Sequence, residues 1–380
     1  MKILELTNYS AGICGVWTRV REESIRLAKR GHEVRIFSSD FTKGSNKLAK
    51  KEDRINNVKI MRFPGKILGG EGFMKWNFEK KALNFEPEVI ITHSYRLPHT
   101  LKALEVAKTL KERGKKCRVF LVAHAPFERN STRSFIAKIV VWIYDNFIGL
   151  KTLNKFDKIF AITHWEMPYL IKYGAKKNKI EYVPNGIPEE FFSQKEEKEQ
   201  NKILFLGRIS PIKNLETMIS ALSLIKDKKI IFEIVGPAEE NYLKELKRLA
   251  KEKNVEKRII FSPAIYNLKE KIKKIDSANI FILPSKSEGM PQGLIEAMAR
   301  GKIVIASDNL AAKDLITDKK IGYLFKIGDF KELAKKINFI LENKIKNKAI
   351  KKEARKYVEQ FSWKKIIEKI ENLIREKNKS

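Results

Sequence analysis

Two glutamates eight positions apart, Glu288 and Glu296, lie in the stretch PSKSEGMPQGLIEAMARG at residues 284–301. Glu288 stands in a short polar loop with Gly289, Pro291 and Gly293, and Glu296 among apolar residues at helical spacing, Leu294, Ile295, Ala297 and Met298. In open α/β sheets ligands bind beyond the carboxyl ends of strands, where loops meet helix N-termini, and Glu288 falls there. By local pattern alone, both acids read equally as solvated side chains or helix caps. Arg208 and Lys213 flank a second such loop, GRISPIKN. Arginine grips phosphate through a planar pair of donors and lysine acts as a mobile point charge, so the two suit a diphosphate, helped by the N–H groups of the helix that starts near Asn214. Basic residues are so common in this chain that chance placement explains the pair as readily. His124 ends the apolar run CRVFLVA and precedes Ala125, Pro126 and Phe127, which suits a side chain facing a ligand. Alone it is also an ordinary buried histidine. Gly12 and Gly15 form a loop whose backbone could approach a phosphate or a sugar, or simply a turn; the three-glycine dinucleotide fingerprint is absent.

The elements that must hold these residues alternate. Lys2–Leu6 reads as a strand, Val16–Arg30 as a helix closed by Gly31, and His32–Ser38 as the next strand. Val58–Phe63 is a strand; 64–72 is glycine-rich and reads as a loop, followed by Phe73, Trp76 and Phe78 among basic residues, either a membrane- or acceptor-facing surface or a packed helix. Further strands are predicted at Pro87–Thr92, Cys117–Ala123, Lys158–Thr163 and Ile180–Val183, with a long apolar helix over Phe135–Leu153. The charged stretch 189–201 has no apolar period and reads as a domain boundary. Alternation then restarts: strands at Lys202–Leu206, Ile230–Val235, Ile259–Phe261, Ile280–Leu283 and Ile303–Ala306, each with a helix between. Residues 353–376 read as two amphipathic helices. The fold class is therefore α/β, in two domains.

The 380 residues carry 78 Lys+Arg against 46 Asp+Glu, a formal charge of +32. Such a surface attracts anions: nucleic acid, anionic lipid or a phosphorylated substrate. The lysine- and isoleucine-rich composition is also that of heat-adapted proteins. Two cysteines, Cys14 and Cys117, make no disulfide framework and fit a reducing compartment. The N-terminus reads as a strand rather than a signal peptide, and no run reaches the ~20 apolar residues of a spanning helix. Zinc, P-loop and Gly-x-Ser-x-Gly patterns are missing, and the five histidines are not spaced as a metal site. A diphosphate would then be neutralised by Arg208 and Lys213 without a metal.

At this point the chain resembles the retaining glycosyltransferases of family 4 (glycosyl transferases group 1), the GT-B enzymes with two facing Rossmann-like domains. The resemblance covers nearly the whole chain. It rests on the Glu-x7-Glu motif Glu288–Glu296, on GRISPIKNL at 207–215, on IVGPAEE at 234–240, on VPNGI at 183–187, and on the opening loop before a helix ending in RGHEV at 30–34. It implies an interdomain cleft and a last helix that crosses back to the first domain. The domains would be 1–187, on the acceptor side and completed by about 359–380, and 188–358, on the nucleotide-sugar side. Glu288 would bind donor-sugar hydroxyls near the reacting carbon and Glu296 the ribose. Arg208 and Lys213 would bind the diphosphate and stabilise it as it leaves, and His124 would meet the donor sugar. Backbone groups at Gly15, Met290, Pro291, Gly293 and Leu294, with Gly236, would line the donor. The chain departs from the family pattern at Cys14, at Ile303 in place of a proline, and at Ala311 and Ala312 in place of a glycine pair.

The resemblance implies a hexosyltransferase with no obligatory cofactor, whose donor is a nucleotide diphosphate sugar, UDP- or GDP-linked. Its acceptor would be a glycan, a lipid-linked molecule or a small molecule. Its expected place is the cytoplasm, or the inner face of the membrane if the basic charge meets an anionic surface. The competing readings are a sugar-nucleotide epimerase of the same architecture and a non-enzymatic protein that binds anionic surfaces or nucleic acid. The latter leaves both acids without a role, so nucleic acid is disfavoured as a partner.

Overall fold

Short apolar runs bounded by glycine, proline and lysine become strands buried on both faces, as parallel sheets require. The structure, a computed structural model, describes residues 1–12, 14–45, 47–69, 73–127, 135–193 and 200–376. The chain divides into two units. One comprises Met1–Gly186 together with the chain from Trp363 onward; the other is Ile187–Ser362.

The first unit runs β1 (Lys2–Leu6), α1 (Gly15–Lys29), β2 (Glu33–Ser39), β3 (Glu52–Ile55), β4 (Val58–Phe63), β5 (Gly65–Gly69), β6 (Phe73–Trp76), α2 (Glu79–Phe85), β7 (Val89–His93), α3 (Pro98–Glu112), β8 (Arg118–Val122), α4 (Phe135–Ile143), α5 (Leu150–Thr152), β9 (Lys158–Ala161), α6 (Met167–Lys172) and β10 (Ile180–Tyr182). Its main sheet has the order β10-β9-β8-β7-β1-β2-β4-β3. All neighbours are parallel except β3, which lies antiparallel at the edge. The second unit runs β11 (Lys202–Leu206), α7 (Leu215–Leu224), β12 (Ile231–Val235), α8 (Glu240–Glu252), β13 (Ile259–Ser262), α9 (Leu268–Asp276), β14 (Ile280–Leu283), α10 (Gln292–Ala299), β15 (Ile303–Ser307), α11 (Leu310–Leu315), β16 (Tyr323–Phe325), α12 (Phe330–Glu342) and α13 (Lys344–Val358). Its sheet, β13-β12-β11-β14-β15-β16, is parallel throughout. The strand order reverses between β1 and β7 in one sheet and between β11 and β14 in the other. These are the switch points at which such sheets bind ligands.

The last helix, α14 (Trp363–Arg375), belongs to the first unit. Its apolar face buries Trp363, Ile366, Ile367 and Ile370. Glu371 takes Arg30 at 2.5 Å and His32 at 3.1 Å. A Cβ on Gly186 would lie 2.5 Å from the Trp363 ring, so only glycine admits that indole.

Four expectations change. The stretch 64–72 is not a loop throughout: β5 pairs antiparallel with β6, and residues 70–72 lie outside the described residues. Trp76 and Phe78 do not face a membrane; they are 2% and 1% exposed, packed in the first unit's core with Phe63 and His99. The long apolar helix is interrupted. After α4 a π turn spans Tyr144–Gly149, and its extra residue turns Tyr144, Asp145 and Gly149 inward. Asp145 then receives Arg96 through two bonds of 2.7 and 2.6 Å, and Gly149 makes room for the Tyr95 hydroxyl. At the C-terminus the lysine-rich segment 344–358 is one continuous helix, so the break falls at Glu359–Phe361. Most of the charged boundary stretch, 194–199, lies outside the described residues.

Candidate functional site

In the second unit the loops that leave β11 and β14 are fastened to each other. Asn214 adopts a left-handed conformation (φ 53°) and its Nδ2 donates to the Pro284 carbonyl at 3.1 Å. Lys286 N–H donates to the Ile212 carbonyl at 2.8 Å. From the other side Asn309 Nδ2 donates to the Ser285 carbonyl at 3.0 Å, and the Ser307 hydroxyl donates to the same oxygen. This fastening brings Lys213 and Glu288, 75 positions apart, into an ion pair: Nζ to Oε1 is 2.6 Å, with the side chains 18% and 14% exposed. Glu296 lies on α10, and Lys271 of α9 meets it at 2.6 Å. Neither glutamate is a freely solvated side chain. The cap position of α10 is Pro291, with no side-chain cap bond, so neither acid caps that helix.

Arg208 lies differently. Its side chain is 66% exposed, and its ion pair is with Glu239, at 4.0 Å. Its loop is stitched to the end of β12: Ile209 N–H donates to the Pro237 carbonyl at 2.8 Å and Glu239 N–H to the Ile209 carbonyl at 2.9 Å. Gly236 (φ 151°) makes the stitch possible, because a Cβ there would lie 1.9 Å from the Gly207 carbonyl oxygen. Gly293 packs under the Phe281 ring, which a Cβ would approach to 3.1 Å. Gln292 N–H donates to the Met290 carbonyl and Leu294 N–H to the Pro291 carbonyl, which shapes the turn into α10. Leu294 itself is core.

In the first unit Gly15 is the first residue of α1, and nothing lies within 4 Å of where its Cβ would be. His124 follows β8, with φ of 61° for itself and 48° for Ala125. That left-handed pair is held by Glu166, whose Oε2 accepts from Ala125 N–H at 2.6 Å while Oε1 accepts from Ile162 and Thr163. Burial pushes Glu166 up to about 7, against those three donors. His124 Nε2 lies 3.0 Å from His93 Nδ1, and His93 Nε2 lies 2.8 Å from Glu5 Oε2. The chain spans three adjacent strands: Glu5 on β1, His93 at the end of β7, His124 just past β8.

Burial holds His93 well below its ordinary pKa, with His124 and Arg19 adding to the effect. Burial and then Arg19 push His124 down to about 3. Both imidazoles are therefore neutral, and each has one donor and one acceptor nitrogen. With Glu5 ionised, His93 donates from Nε2 to the carboxylate and His124 donates from Nε2 to His93 Nδ1, so His124 Nδ1 becomes an acceptor. With Glu5 protonated, every bond reverses and His124 Nδ1 becomes a donor. Burial and the neighbouring Glu23 raise Glu5 well above the usual carboxylate range.

Glu5, Glu23 and His93 have ligand-type atoms within 4.8 Å of one another. The positive charge beside them belongs to Arg19, which donates to Glu23 at 3.1 Å and to the Val183 carbonyl and Asn185 Oδ1 at 3.0 Å. Arg19 thereby ties α1 to the VPNG turn. Glu5, His93, Arg19, Glu166 and Lys271 were not singled out by sequence. One signal existed: Glu5 interrupts an apolar strand with an acid, and such an acid must find a partner.

Two family models match this chain. "Glycosyltransferase Family 4" matches residues 13–191 and "Glycosyl transferases group 1" matches residues 186–357. The chain is 26% identical to an uncharacterised glycosyltransferase of Methanocaldococcus jannaschii, over 96% of this chain and 95% of that one. It is 26% identical to the alpha-monoglucosyldiacylglycerol synthase of Streptococcus pneumoniae, over 83% of this chain and 73% of that one. Among solved structures, HepE of Anabaena in complex with UDP-glucose superposes with a TM-score of 0.72 at 18% identity, over 98% of both chains.

Proposed function

The chain belongs to the family 4, group 1 glycosyltransferases of GT-B fold, and from that premise we propose that it moves a hexosyl group from a nucleotide diphosphate sugar to a hydroxyl of a glycan or lipid-linked acceptor, retaining the anomeric configuration. The observation that carries the reading is the Lys213–Glu288 pair at the switch point of the second sheet. A cation and an acid joined there offer one partner for a diphosphate and one for sugar hydroxyls. Paired, each neutralises the other; a diphosphate would compete for the ammonium and release the carboxylate to the sugar.

The acceptor oxygen attacks the anomeric carbon on the face from which the diphosphate departs. The bond between that carbon and the diphosphate oxygen breaks, and the electron pair leaves with the diphosphate. Lys213 and the exposed Arg208 stabilise the charge that gathers there. The departing phosphate takes the acceptor's proton. Glu296 holds the ribose hydroxyls, with Lys271 fixing its carboxylate. Gly236, Met290, Pro291, Gly293 and Leu294 shape the backbone that lines the donor, and Gly15 opens α1 with room for a close ligand. His124 would offer its imidazole to a hydroxyl of the donor sugar.

The streptococcal relative, whose name records a glucosylated diacylglycerol in the alpha configuration, supports a lipid acceptor, and an alpha product is what retention gives from an alpha-linked nucleotide sugar. HepE supports a UDP-linked donor through its complex. Titration calorimetry with UDP, GDP and their sugars, followed by transfer to lipid and glycan acceptors, tests the reading. One nucleoside diphosphate should bind in preference to the others, and Lys213→Ala should weaken it. Unchanged binding and transfer in both Lys213→Ala and Glu288→Ala would sink it.

A further inference from the structure

The helix α4 reads FIAKIVVWI, eight apolar residues of nine, yet buries none of them. Phe135 is 77% exposed, Ile136 73% and Trp142 59%; Phe147 within the π turn and Leu150 just after it continue the exposed apolar surface. An apolar stripe of this extent on a water-soluble face marks an interaction surface. The π turn explains its orientation, since the same segment turns its polar Asp145 inward to Arg96.

The charges around the stripe are of one sign. Residues 135–179 contain eight lysines and three acids. None of the acids is exposed: Asp145 is buried against Arg96, Asp157 pairs with Arg118, and Glu166 is fully buried. Lys138, Lys151, Lys155, Lys172, Lys176 and Lys177 are exposed. The last three border the stripe in space, because Asn154 donates to the Gly174 carbonyl at 2.6 Å, Lys176 N–H donates to Asn154 Oδ1 at 2.9 Å, and Gly174 abuts Leu150.

We propose that this face, α4 with the turn that follows it and the lysines around its end, docks on an anionic lipid surface. The apolar side chains enter the interface and the lysines pair with lipid phosphates at its rim, as an interfacial amphipathic helix does. Among the described residues no helix is long and apolar enough to cross a membrane. A nucleic acid would use the lysines and leave the apolar stripe wet. An ordinary protein partner would cover the stripe and find no exposed acid to match. The lipid surface accounts for both. The proposal is independent of the donor and of the transfer chemistry.

Vesicle flotation without any sugar nucleotide tests it. Vesicles of phosphatidylcholine with about one-third phosphatidylglycerol should carry the full-length protein up the gradient, and pure phosphatidylcholine should not. Added salt should weaken the binding. Trp142 is the most exposed of the five tryptophans, so its emission should shift to the blue on the vesicles, and Trp142→Phe should remove that shift while binding remains. Ile136→Ser with Phe147→Ser, and separately Lys151→Glu with Lys155→Glu, should each lower partitioning by about tenfold or more. These side chains are exposed, and an unchanged melting curve confirms that the fold is kept. Equal binding to neutral vesicles, no binding to anionic ones, or a solution dimer that Ile136→Ser with Phe147→Ser dissolves would overturn the proposal, the last by showing a second copy as the occupant.

Discussion

At its switch point the first sheet carries Glu5, His93 and His124 on adjacent strands, buried and linked in a row. At the equivalent place the second sheet leads into loops that carry Lys213 and Glu288, an ion pair that water still reaches. The strand order reverses in the same way at both places; the electrostatics are opposite. Burial empties the first site of charge on its histidines, so what it can change is the position of a proton along a hydrogen-bonded row. The second site keeps full charges that neutralise each other and can be traded for those of a ligand. A neutral row sets donor or acceptor character, which serves orientation; exchangeable ions stabilise charge that appears during a reaction.

Lys213→Ala or Glu288→Gln should lower transfer by about 10²–10³-fold with little change in melting temperature, measured as product formed per enzyme. An effect no larger than that of an exposed lysine such as Lys108 would remove the second sheet's claim. On the neutral side, His124→Ala should cost about tenfold to a hundredfold, from the loss of one hydrogen bond to the sugar. Glu5→Gln sharpens this further. In the wild type the pH profile should show a step where Glu5 ionises, above the ordinary carboxylate range, because His124 switches between donor and acceptor there. Glu5→Gln should flatten that step without moving any other limb, and an identical profile in the variant would refute the row. Glu296→Ala should act mainly on donor KM, raising it about tenfold with kcat nearly unchanged.

The smallest expected effect concerns stability. Burial would raise Glu371, but hydrogen bonds from Arg30, Arg375 and His32 hold it down to about 2. A carboxylate with a depressed pKa contributes stability in full above its unfolded value. That contribution is lost as the pH falls from about 4.5 towards 2. Glu371→Gln should lower the melting temperature by a few degrees at neutral pH and converge with the wild type near pH 2.

The second site was far more legible in the sequence than the first. Strand, polar loop and helix follow one another at residues 280–299, so the sequence places Glu288 past a strand end and Glu296 in the helix that follows, although local pattern alone leaves both open to a solvated role. Lys271 carries no such signal: it is one of 78 basic residues, on a separate helix, and only packing of α9 against α10 makes it the partner of Glu296. Glu5, His93 and His124 are far apart in the chain and become neighbours through the order β1-β7-β8, which no local period records. The β5–β6 hairpin was obscured by its glycines. Gly65 is there because a Cβ would strike the Phe41 ring at 2.7 Å, a packing demand that reads from sequence as a loop signal. The π turn is hidden for a related reason: an apolar run continues through it, and the shift of face shows only where Asp145 meets Arg96.

The return of the last helix to the first unit has a consequence for synthesis. The second unit is one unbroken stretch, Ile187–Ser362, and can fold as soon as it clears the ribosome. The first unit begins earlier but includes α14, so Trp363 cannot close on Gly186, nor Glu371 on Arg30 and His32, until α14 itself has emerged. The half that is translated first is thus the half that is completed last.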